Sequence, residues 1–380
     1  MKPNHQPRVL ILTKQSTSTM AEVVTTAVAV LKAGGIVIYP TETVYGIGVD
    51  ATNPQAVAKL LKYKSRREGK PLSIAVTDQA MAEKFVELND QARSLYRRFL
   101  PGPVTVVSRD LGRVAPGVAS EFGTLGIRQP AHPLILALVQ TLGRPITATS
   151  ANASGEKRPY SLNDILSRLS NQQIKLIDLA IDAGTLPPNP PSTVIDTTLS
   201  TPLVMRQGAA LMETAATMPT LASFTSSSPL ETRQIAGKWL LKYWDQLKAT
   251  GLVIGLNGSL GAGKTVLTQG IGEFLQISEP IVSPTYTYLL EYPYRRHSQT
   301  GKLYHVDAWK IADAAQLAEL QLAKLVQPGS ILVIEWWNQI ASDLTKGEDL
   351  SLAAPILTID LKIINPKTRQ LEIKIIRPGI

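Results

Sequence analysis

The eight residues Gly258–Thr265 constrain this chain more than any other stretch, because they match the pattern G-x-x-x-x-G-K-[ST] at every fixed position. The apolar run Leu252–Leu256 just before them predicts a buried strand, and a helix is expected to begin near Lys264. A strand, a glycine-rich loop and a helix N-terminus in this order favour a phosphate-binding loop, because N–H groups and the helix dipole then face one anion. An ordinary glycine-rich turn is the alternative.

The loop predicts the binding of ATP together with Mg²⁺. Lys264 is expected to reach the β- and γ-phosphates, and the Thr265 hydroxyl is expected to ligate Mg²⁺. The glycine spacing differs from G-x-G-x-x-G, so a dinucleotide-binding fold is disfavoured. The residues expected to bind the nucleotide are Gly258, Gly261, Ala262, Gly263, Lys264 and Thr265.

The position of the loop predicts a second domain. A strand and loop of this kind normally open a nucleotide-binding domain, yet about 250 residues precede them. Small uncharged residues fill Thr214–Ser228, which predicts a linker at 213–229 between one domain at 1–212 and another at 230–380. Strand and helix patterns alternate in both domains, so both are predicted to be α/β.

Composition narrows the chemistry. The chain has no cysteine, which excludes disulfides, thiol nucleophiles and cysteine-ligated metals. Its four histidines are scattered along the sequence. No apolar stretch approaches the roughly 18 residues of a membrane span, so we expect no signal peptide, no membrane contact and a cytoplasmic location. Residues 1–212 hold 23 Lys and Arg against 15 Asp and Glu, whereas the remainder hold 16 against 15. A basic front domain fits either a polyanion such as RNA or a pocket for a triphosphate.

Two segments of the front domain are rich in polar groups. The first, Pro40–Gly48, follows a predicted strand and is dense in hydroxyls that can line a pocket. The second, Lys62–Ser73, is basic. If it is extended, Lys64 and Arg66 face the same side and can contact one anion together. A solvated basic loop is the alternative.

These segments resemble the YrdC/TsaC family of threonylcarbamoyl-AMP synthases. Lys64 and Arg66 match the Lys-x-Arg pair of that family, and Ser150 and Asn152 match its Ser-x-Asn pair. The segments P-T-E-T-V-Y-G, P-G-P-x-T, R-x-P-x-H-P and S-T-V-I-D also occur in order. The resemblance covers roughly residues 15–212. It implies a twisted-sheet α/β domain that joins L-threonine, bicarbonate and ATP into threonylcarbamoyl-AMP and releases pyrophosphate.

The same resemblance implies roles for individual side chains. Thr41 and Arg128 would hold L-threonine, because a guanidinium can form paired hydrogen bonds with its carboxylate. The residues expected to stabilise the developing negative charge are Lys64, Arg66, Ser150 and Asn152. The residues expected around the adenylate are Ser73, Thr105, Ser192 and Arg206.

Glu335 ends an apolar strand predicted within Ser330–Trp337. An acid at this place after a P-loop suits the Walker B role, in which it holds Mg²⁺ directly or through water. An ordinary strand-end carboxylate is the alternative. With the loop, Ser283–Thr287 and His305–Asp307, this strand resembles TsaE, the small ATPase of bacterial tRNA threonylcarbamoyladenosine synthesis, over about residues 230–380. The usual acid after the first glycine is Ser259 here, and the usual Asp-x-Tyr-Arg reads Asp-Ala-Trp-Lys, which leaves hydrolysis rate and partner contacts open.

The two resemblances together imply a bifunctional protein of tRNA modification. The back domain, a P-loop NTPase-like α/β domain, would hydrolyse ATP with Asp307 and Glu335 as catalytic carboxylates and with Thr265 and Glu335 as ligands of Mg²⁺. It would act on a separate transferase complex of the TsaB/TsaD type and reach tRNA only through that partner. The alternative is an RNA-binding module joined to a P-loop switch, which aromatic residues among the basic ones would favour.

Overall fold

A computed structural model describes residues 7–12, 19–64, 71–152, 157–210, 220–284, 287–311, 314–346 and 354–377 of the chain. The chain divides into two compact units. The front unit contains residues 1–198 and 202–213, and the back unit contains residues 199–201 and 214–380. Across the described ranges, no helix is both long enough and apolar enough to cross a membrane.

The front unit is built on one mixed sheet. Its strands are β1 (Arg8–Ile11), β2 (Val37–Tyr39), β3 (Gly46–Gly48), β4 (Ser73–Ala75), β5 (Val86–Glu87), β6 (Val104–Asp110), β7 (Thr124–Arg128), β8 (Ile146–Ser150), β9 (Leu179–Asp182), β10 (Thr193–Asp196) and β11 (Leu203–Arg206). They lie in the order β1-β9-β2-β3-β8-β4-β7-β6-β10-β11, and β5 pairs with β6. The predicted α/β class of the front domain is confirmed.

Helices cover both faces of this sheet. They are α1 (Met20–Lys32), α2 (Pro54–Lys64), α3 (Gln79–Ala82), α4 (Asp90–Phe99), α5 (Pro133–Leu142), α6 (Leu162–Leu166) and α7 (Asn171–Ile174). Because successive strand residues face opposite sides, Ile74 and Ile127 pack in a core with α2 and α4, whereas Ala75 and Ile146 pack in a second core with α1 and α5. Among the described residues, the buried members of that second core include none from β6, β10 or β11. The face that α1 and α5 cover therefore continues, over those strands, into a region rich in polar side chains.

The start of α1 shows how local sequence specifies these elements. Thr19 is its N-cap: its hydroxyl accepts a hydrogen bond from the Glu22 N–H at 3.2 Å, and the Glu22 carboxylate accepts one from the Thr19 N–H at 2.8 Å. This reciprocal pair satisfies two N–H groups that the helix itself cannot pair. Thr19 and Glu22 thus form a capping box, which the spacing of these two residue types in the sequence indicates.

The back unit has a second sheet with a parallel centre. Its strands are β12 (Thr220–Ser226), β13 (Leu252–Asn257), β14 (Leu289–Arg296), β15 (Gln299–Asp307), β16 (Ile331–Glu335), β17 (Ile356–Asn365) and β18 (Thr368–Arg377). They lie in the order β12-β18-β17-β13-β16-β15-β14. The four central strands are parallel, and antiparallel strands flank them at both edges. The P-loop strand β13 thus lies at the centre of an α/β sheet, as predicted.

Helices also cover both faces of the second sheet. They are α8 (Pro229–Lys242), α9 (Trp244–Thr250), α10 (Lys264–Leu275), a 3₁₀ turn at Ala308–Lys310, α11 (Ala314–Glu319), α12 (Leu322–Leu325) and α13 (Trp337–Lys346). Val253 faces a core with Trp337 and Ile340 of α13. The next residue, Ile254, faces the opposite side, where it lines a small apolar cavity together with residues of α8 and α10.

Part of the predicted linker is a strand. Residues 220–226 form β12 and pair antiparallel with β18, and Phe224 is buried. The interpretation of the whole segment as a linker was therefore wrong, because small polar residues on an edge strand need only one apolar anchor to be held. Residues 213–219 lie outside the described part of the chain. Trp337 also differs from the prediction, since it begins α13 rather than ending β16.

Candidate active sites

The predicted residues of the front unit project from one face of its sheet. Paired residues on neighbouring strands point to the same side. The register pairs Arg128 on β7 with Thr105 on β6, Thr105 with Val194 on β10, and Val194 with Arg206 on β11. Through β4 and β8 the row continues to Ala75 and Ile146, and Ser73 and Ser150 lie on the same face, two and four residues along their strands from this row. The predicted residues that share this face are Ser73, Thr105, Arg128, Ser150 and Arg206.

Ser192, just before β10, joins this row through hydrogen bonds. Its hydroxyl lies 3.1 Å from the Thr105 hydroxyl, and both residues are buried. The Arg206 guanidinium donates to the Ser192 carbonyl at 2.9 and 3.1 Å and to the Ser192 hydroxyl at 3.0 Å. Burial lowers the pKa of Arg206, and the positive charges of Arg128 and Arg158 lower it further. Three guanidinium groups therefore act on one region, which favours an anionic ligand there.

Arg128 has a carboxylate and two hydroxyls close to it. Its Nη2 donates to Glu42 Oε1 at 2.6 Å and to the Thr43 hydroxyl at 2.8 Å. The Thr43 hydroxyl lies 3.0 Å from the Thr41 hydroxyl, which donates to the Val44 carbonyl at 2.6 Å. Thr41 and Arg128, which the sequence grouped as threonine-binding residues, are thus linked through Thr43.

Lys64 is the last residue of α2, not part of an extended loop. The extended conformation considered for this segment does not occur at Lys64, because Lys-Tyr-Lys are adequate helix formers and no Gly or Pro interrupts them. Its ammonium nevertheless donates to the main-chain carbonyls of Ser150 and, at 2.9 Å, of Asn152. The structure therefore brings three of the four residues predicted to stabilise charge together, through main-chain contacts. Burial lowers the pKa of Lys64 to about 7. Arg66 lies outside the described residues.

Sequence reasoning did not single out several residues around Arg128 and Arg206. Glu42 pairs with Arg128, and the Asn189 side-chain amide donates to the Glu42 carbonyl at 2.9 Å. Arg158 acts electrostatically on Arg206. Glu42 lies inside the P-T-E-T segment, so the match of that segment to the family could have identified it. Asn189 and Arg158 lie outside helices and strands, and no motif could have identified them in this way.

In the back unit, the loop between β13 and α10 has the conformation that its glycines allow. Gly258, Gly261 and Gly263 have φ values of 148°, 74° and 104°, where L side chains are strained. A Cβ at Gly258 would also lie 2.6 Å from the Leu361 carbonyl. The twelve-residue helix α10 begins directly after this loop, so its free N–H groups and dipole favour an anion there.

Lys264 is held within the loop itself. Its ammonium donates to the Gly258 carbonyl at 2.8 Å and to the Ser259 carbonyl at 3.1 Å. It also lies 3.8 Å from the centre of the Trp336 ring, and this ring contacts that of Trp309 at 4.4 Å between centroids. Burial lowers the pKa of Lys264, while nearby carboxylates oppose the shift. Two of the three N–H groups of the ammonium are thus used within the loop.

Two carboxylates lie side by side where β15 and β16 end. Asp307 and Glu335 are partners in the parallel register. Glu335 Oε1 accepts a hydrogen bond from the Thr265 hydroxyl at 2.8 Å and lies 3.0 Å from His305 Nε2. Asp307 Oδ2 accepts from the Ser283 hydroxyl at 3.2 Å. The predicted grouping of Thr265 with Glu335 therefore agrees with the geometry. His305 is a buried neighbour that the sequence analysis named within a matching segment but gave no role.

The donor set at this place fits Mg²⁺. The Thr265 hydroxyl and the Glu335 carboxylate, with Asp307 beside them, supply oxygen ligands, which Mg²⁺ prefers. Within the described ranges, no group of three or more His, Cys, Asp or Glu side chains is arranged to hold a metal alone. Mg²⁺ usually completes its shell with water and substrate phosphates, so few protein ligands are expected.

Two family models match the chain. The Sua5/YciO/YrdC family, described as telomere recombination, matches residues 29–208, and the family described as threonylcarbamoyl adenosine biosynthesis protein TsaE matches residues 227–370. The threonylcarbamoyl-AMP synthase of Bacillus subtilis is 34% identical over 184 residues, which are 48% of this chain and 52% of that protein. The synthase of Photobacterium profundum is 31% identical over 154 residues, which are 40% of this chain and 83% of that protein.

Among solved structures, the crystal structure of E. coli YciO is similar to this chain with a TM-score of 0.48 and 24% identity, covering 55% of this chain and 98% of that one. The sequence relatives and the two matches along the chain confirm the resemblances that the motifs predicted. The chain belongs to the Sua5/YciO/YrdC family of threonylcarbamoyl-AMP synthases through its front unit, and the TsaE family model matches the part of the back unit that contains the P-loop.

Proposed function

We propose that the front unit makes threonylcarbamoyl-AMP and pyrophosphate from L-threonine, bicarbonate and ATP. The observation that carries this proposal is the row of Arg128, Thr105 and Arg206 on one face of the sheet, with the Ser192 hydroxyl hydrogen-bonded into it. Guanidinium groups and hydroxyls on rigid strands suit a carboxylate and a triphosphate. The names of the relatives indicate a reaction whose substrates include a carboxylate and a triphosphate.

In the proposed reaction, the amine of L-threonine and bicarbonate form a carbamate with loss of water. A carbamate oxygen then attacks the α-phosphorus of ATP, and the bond to the β-phosphate breaks so that pyrophosphate leaves. Arg128 holds the threonine carboxylate, and Arg206, Ser192 and Thr105 hold the adenylate. The main task of these residues is to bring the reacting atoms within about 3–3.5 Å of each other and to offset the growing charge.

Lys64 has a double role in this proposal. Its hydrogen bonds to the carbonyls of Ser150 and Asn152 fix the chain at the end of β8. Its ammonium also supplies positive charge for the triphosphate. With a pKa of about 7 it is partly neutral near pH 7, and a bound triphosphate favours its charged form.

The back unit binds ATP with Mg²⁺ and hydrolyses it in our proposal. The loop N–H groups and the N-terminus of α10 hold the phosphates, and Lys264 moves from the carbonyls of Gly258 and Ser259 to the β- and γ-phosphates. Thr265 and Glu335 would hold Mg²⁺, which neutralises phosphate charge when it is bound. Asp307, beside Glu335, orients the attacking water.

Hydrolysis in the back unit serves a partner in this proposal. The threonylcarbamoyl group must still be moved to an adenosine of tRNA, and we propose that a TsaB/TsaD-type transferase complex does this and is reset by the back unit. Contact with tRNA is then indirect. A cytoplasmic location follows, because ATP and tRNA are available there.

Pyrophosphate release tests the synthase proposal. The full-length chain is incubated with ATP, with and without L-threonine and with and without bicarbonate, and the nucleotide product is identified by its mass. We expect pyrophosphate and threonylcarbamoyl-AMP only when both co-substrates are present. Pyrophosphate release that ignores threonine would disprove the synthase activity and favour the RNA-binding alternative.

A further inference from the structure

The ion pair between Glu42 and Arg128 leaves two buried atoms without a partner. Their side chains are 18% and 12% exposed, and Arg128 Nη2 donates to Glu42 Oε1 at 2.6 Å. Glu42 Oε2 and Arg128 Nε are both buried, and within the described part of the chain neither forms a hydrogen bond. Buried charged groups are normally fully paired, because an unpaired one costs free energy. The two free positions therefore call for a ligand with one donor and one acceptor.

Neighbouring groups leave the second oxygen of Glu42 unbound. Burial lowers the pKa of the nearby His132, and the charge of Glu42 opposes this shift only in part. The Asn189 amide binds the Glu42 main chain rather than its carboxylate. The Thr43 hydroxyl accepts from Arg128, so it too leaves Glu42 Oε2 unpaired. Within the described part of the chain, only one oxygen of the Glu42 carboxylate thus forms a hydrogen bond.

An amino acid zwitterion carries the complementary pair of charges. Its α-carboxylate can accept from a guanidinium, and its α-ammonium can donate to a carboxylate, each as a charge-assisted hydrogen bond. A bound zwitterion can replace the internal ion pair without leaving either buried charge uncompensated. The exchange costs less than the opening of an empty charged site, because both partners gain as much as they lose.

We propose that Glu42 is the residue that binds the α-ammonium group of L-threonine while Arg128 binds its α-carboxylate. The inference rests on the proposed synthase function and adds the recognition of the amine to it. Glu42 would thereby select amino acids over carboxylic acids that lack the amine.

Calorimetry on the full-length chain tests this inference with two ligands. One is L-threonine, and the other is (R)-3-hydroxybutyrate, which keeps the carboxylate and hydroxyl of threonine but lacks the amine. In Glu42→Gln, we expect threonine to bind at least about tenfold more weakly, on the scale of one charge-assisted hydrogen bond. The affinity for (R)-3-hydroxybutyrate should be unchanged or higher, because Arg128 has lost its internal competitor.

The control is Glu83→Gln, which removes the partner of Arg93 from another ion pair whose side chains are each 39% exposed. It should bind both ligands as the unmodified chain does. If Glu42→Gln weakens both ligands alike, Glu42 only supports the shape of the site and the inference is wrong. If threonine binds the variant and the unmodified chain equally, the inference is also wrong, although the synthase proposal stands. Failure of the unmodified chain to bind threonine at all would overturn both.

Discussion

The two candidate sites differ in how far apart their residues lie in the chain. In the back unit, the phosphate-binding residues are contiguous from Gly258 to Thr265, and only the ends of β15 and β16 are added. In the front unit, the site runs from Thr41 to Arg206 and depends on the pairing of six strands. A contiguous loop can be recognised from spacing alone. A site spread over a sheet exists only once every register is correct.

Lys64 and Lys264 show the same difference between the two units. Both donate to main-chain carbonyls, and burial lowers the pKa of both. Lys264 binds carbonyls of its own loop, so it can move to a phosphate without disturbing other elements. Lys64 binds carbonyls 86 and 88 residues away, so it connects the end of α2 to the end of β8. Its loss should therefore affect the shape of the front site as well as its charge.

The largest expected effect is on the back unit. Lys264→Ala should lower ATP hydrolysis by about 10²-fold or more, because the phosphates lose the one ammonium supplied by the loop. Phosphate release measures this loss. Pyrophosphate release by the front unit should stay within about twofold, and Lys324→Ala should change neither rate. If Lys264→Ala strongly reduces pyrophosphate release, the two sites are coupled, and the prediction that they act independently is wrong.

Replacement of Lys64 should lower the activity of the front unit by a comparable or somewhat smaller factor. Lys64→Ala should reduce threonine-dependent pyrophosphate release by about 10²-fold, because a charge and two fixed carbonyls are lost together. The exposed neighbour Lys62→Ala is the matched control and should keep the rate. Hydrolysis by the back unit should not change. A loss below about threefold would assign Lys64 a structural role without catalytic weight.

The smallest expected effect is a dependence on pH. Since burial lowers the pKa of Lys64 to about 7, its ammonium is charged below this pH and neutral above it. The kcat/KM for ATP in pyrophosphate release should therefore fall several-fold between about pH 6.5 and 8, because kcat/KM reports groups of the free enzyme. Lys64→Arg stays charged throughout and should remove this decrease. Identical profiles for the two proteins would show that the charge of Lys64 is not needed.

Several features could be predicted from sequence because their causes are local. The Thr19 cap, the strand at Leu252–Leu256 and the loop glycines all depend on residues within a few positions of one another. The edge of the second sheet and the boundary between the two domains were predicted less well. Residues 220–226 were assigned to a linker, although pairing with β18 makes them a strand. That pairing joins segments about 150 residues apart, and no local pattern reveals it.

The sequence by itself determined the two-part organisation, the phosphate-binding loop and the family resemblance of each unit, because motif spacing and composition are properties of the chain. Only the tertiary structure placed Arg128, Thr105 and Arg206 in one row and paired Arg128 with Glu42. It also put the ammonium of Lys64 on the carbonyls at the end of β8. The physical reason is that strand register and burial arise from contacts between distant residues, which set the neighbours and hence the charge state of each side chain.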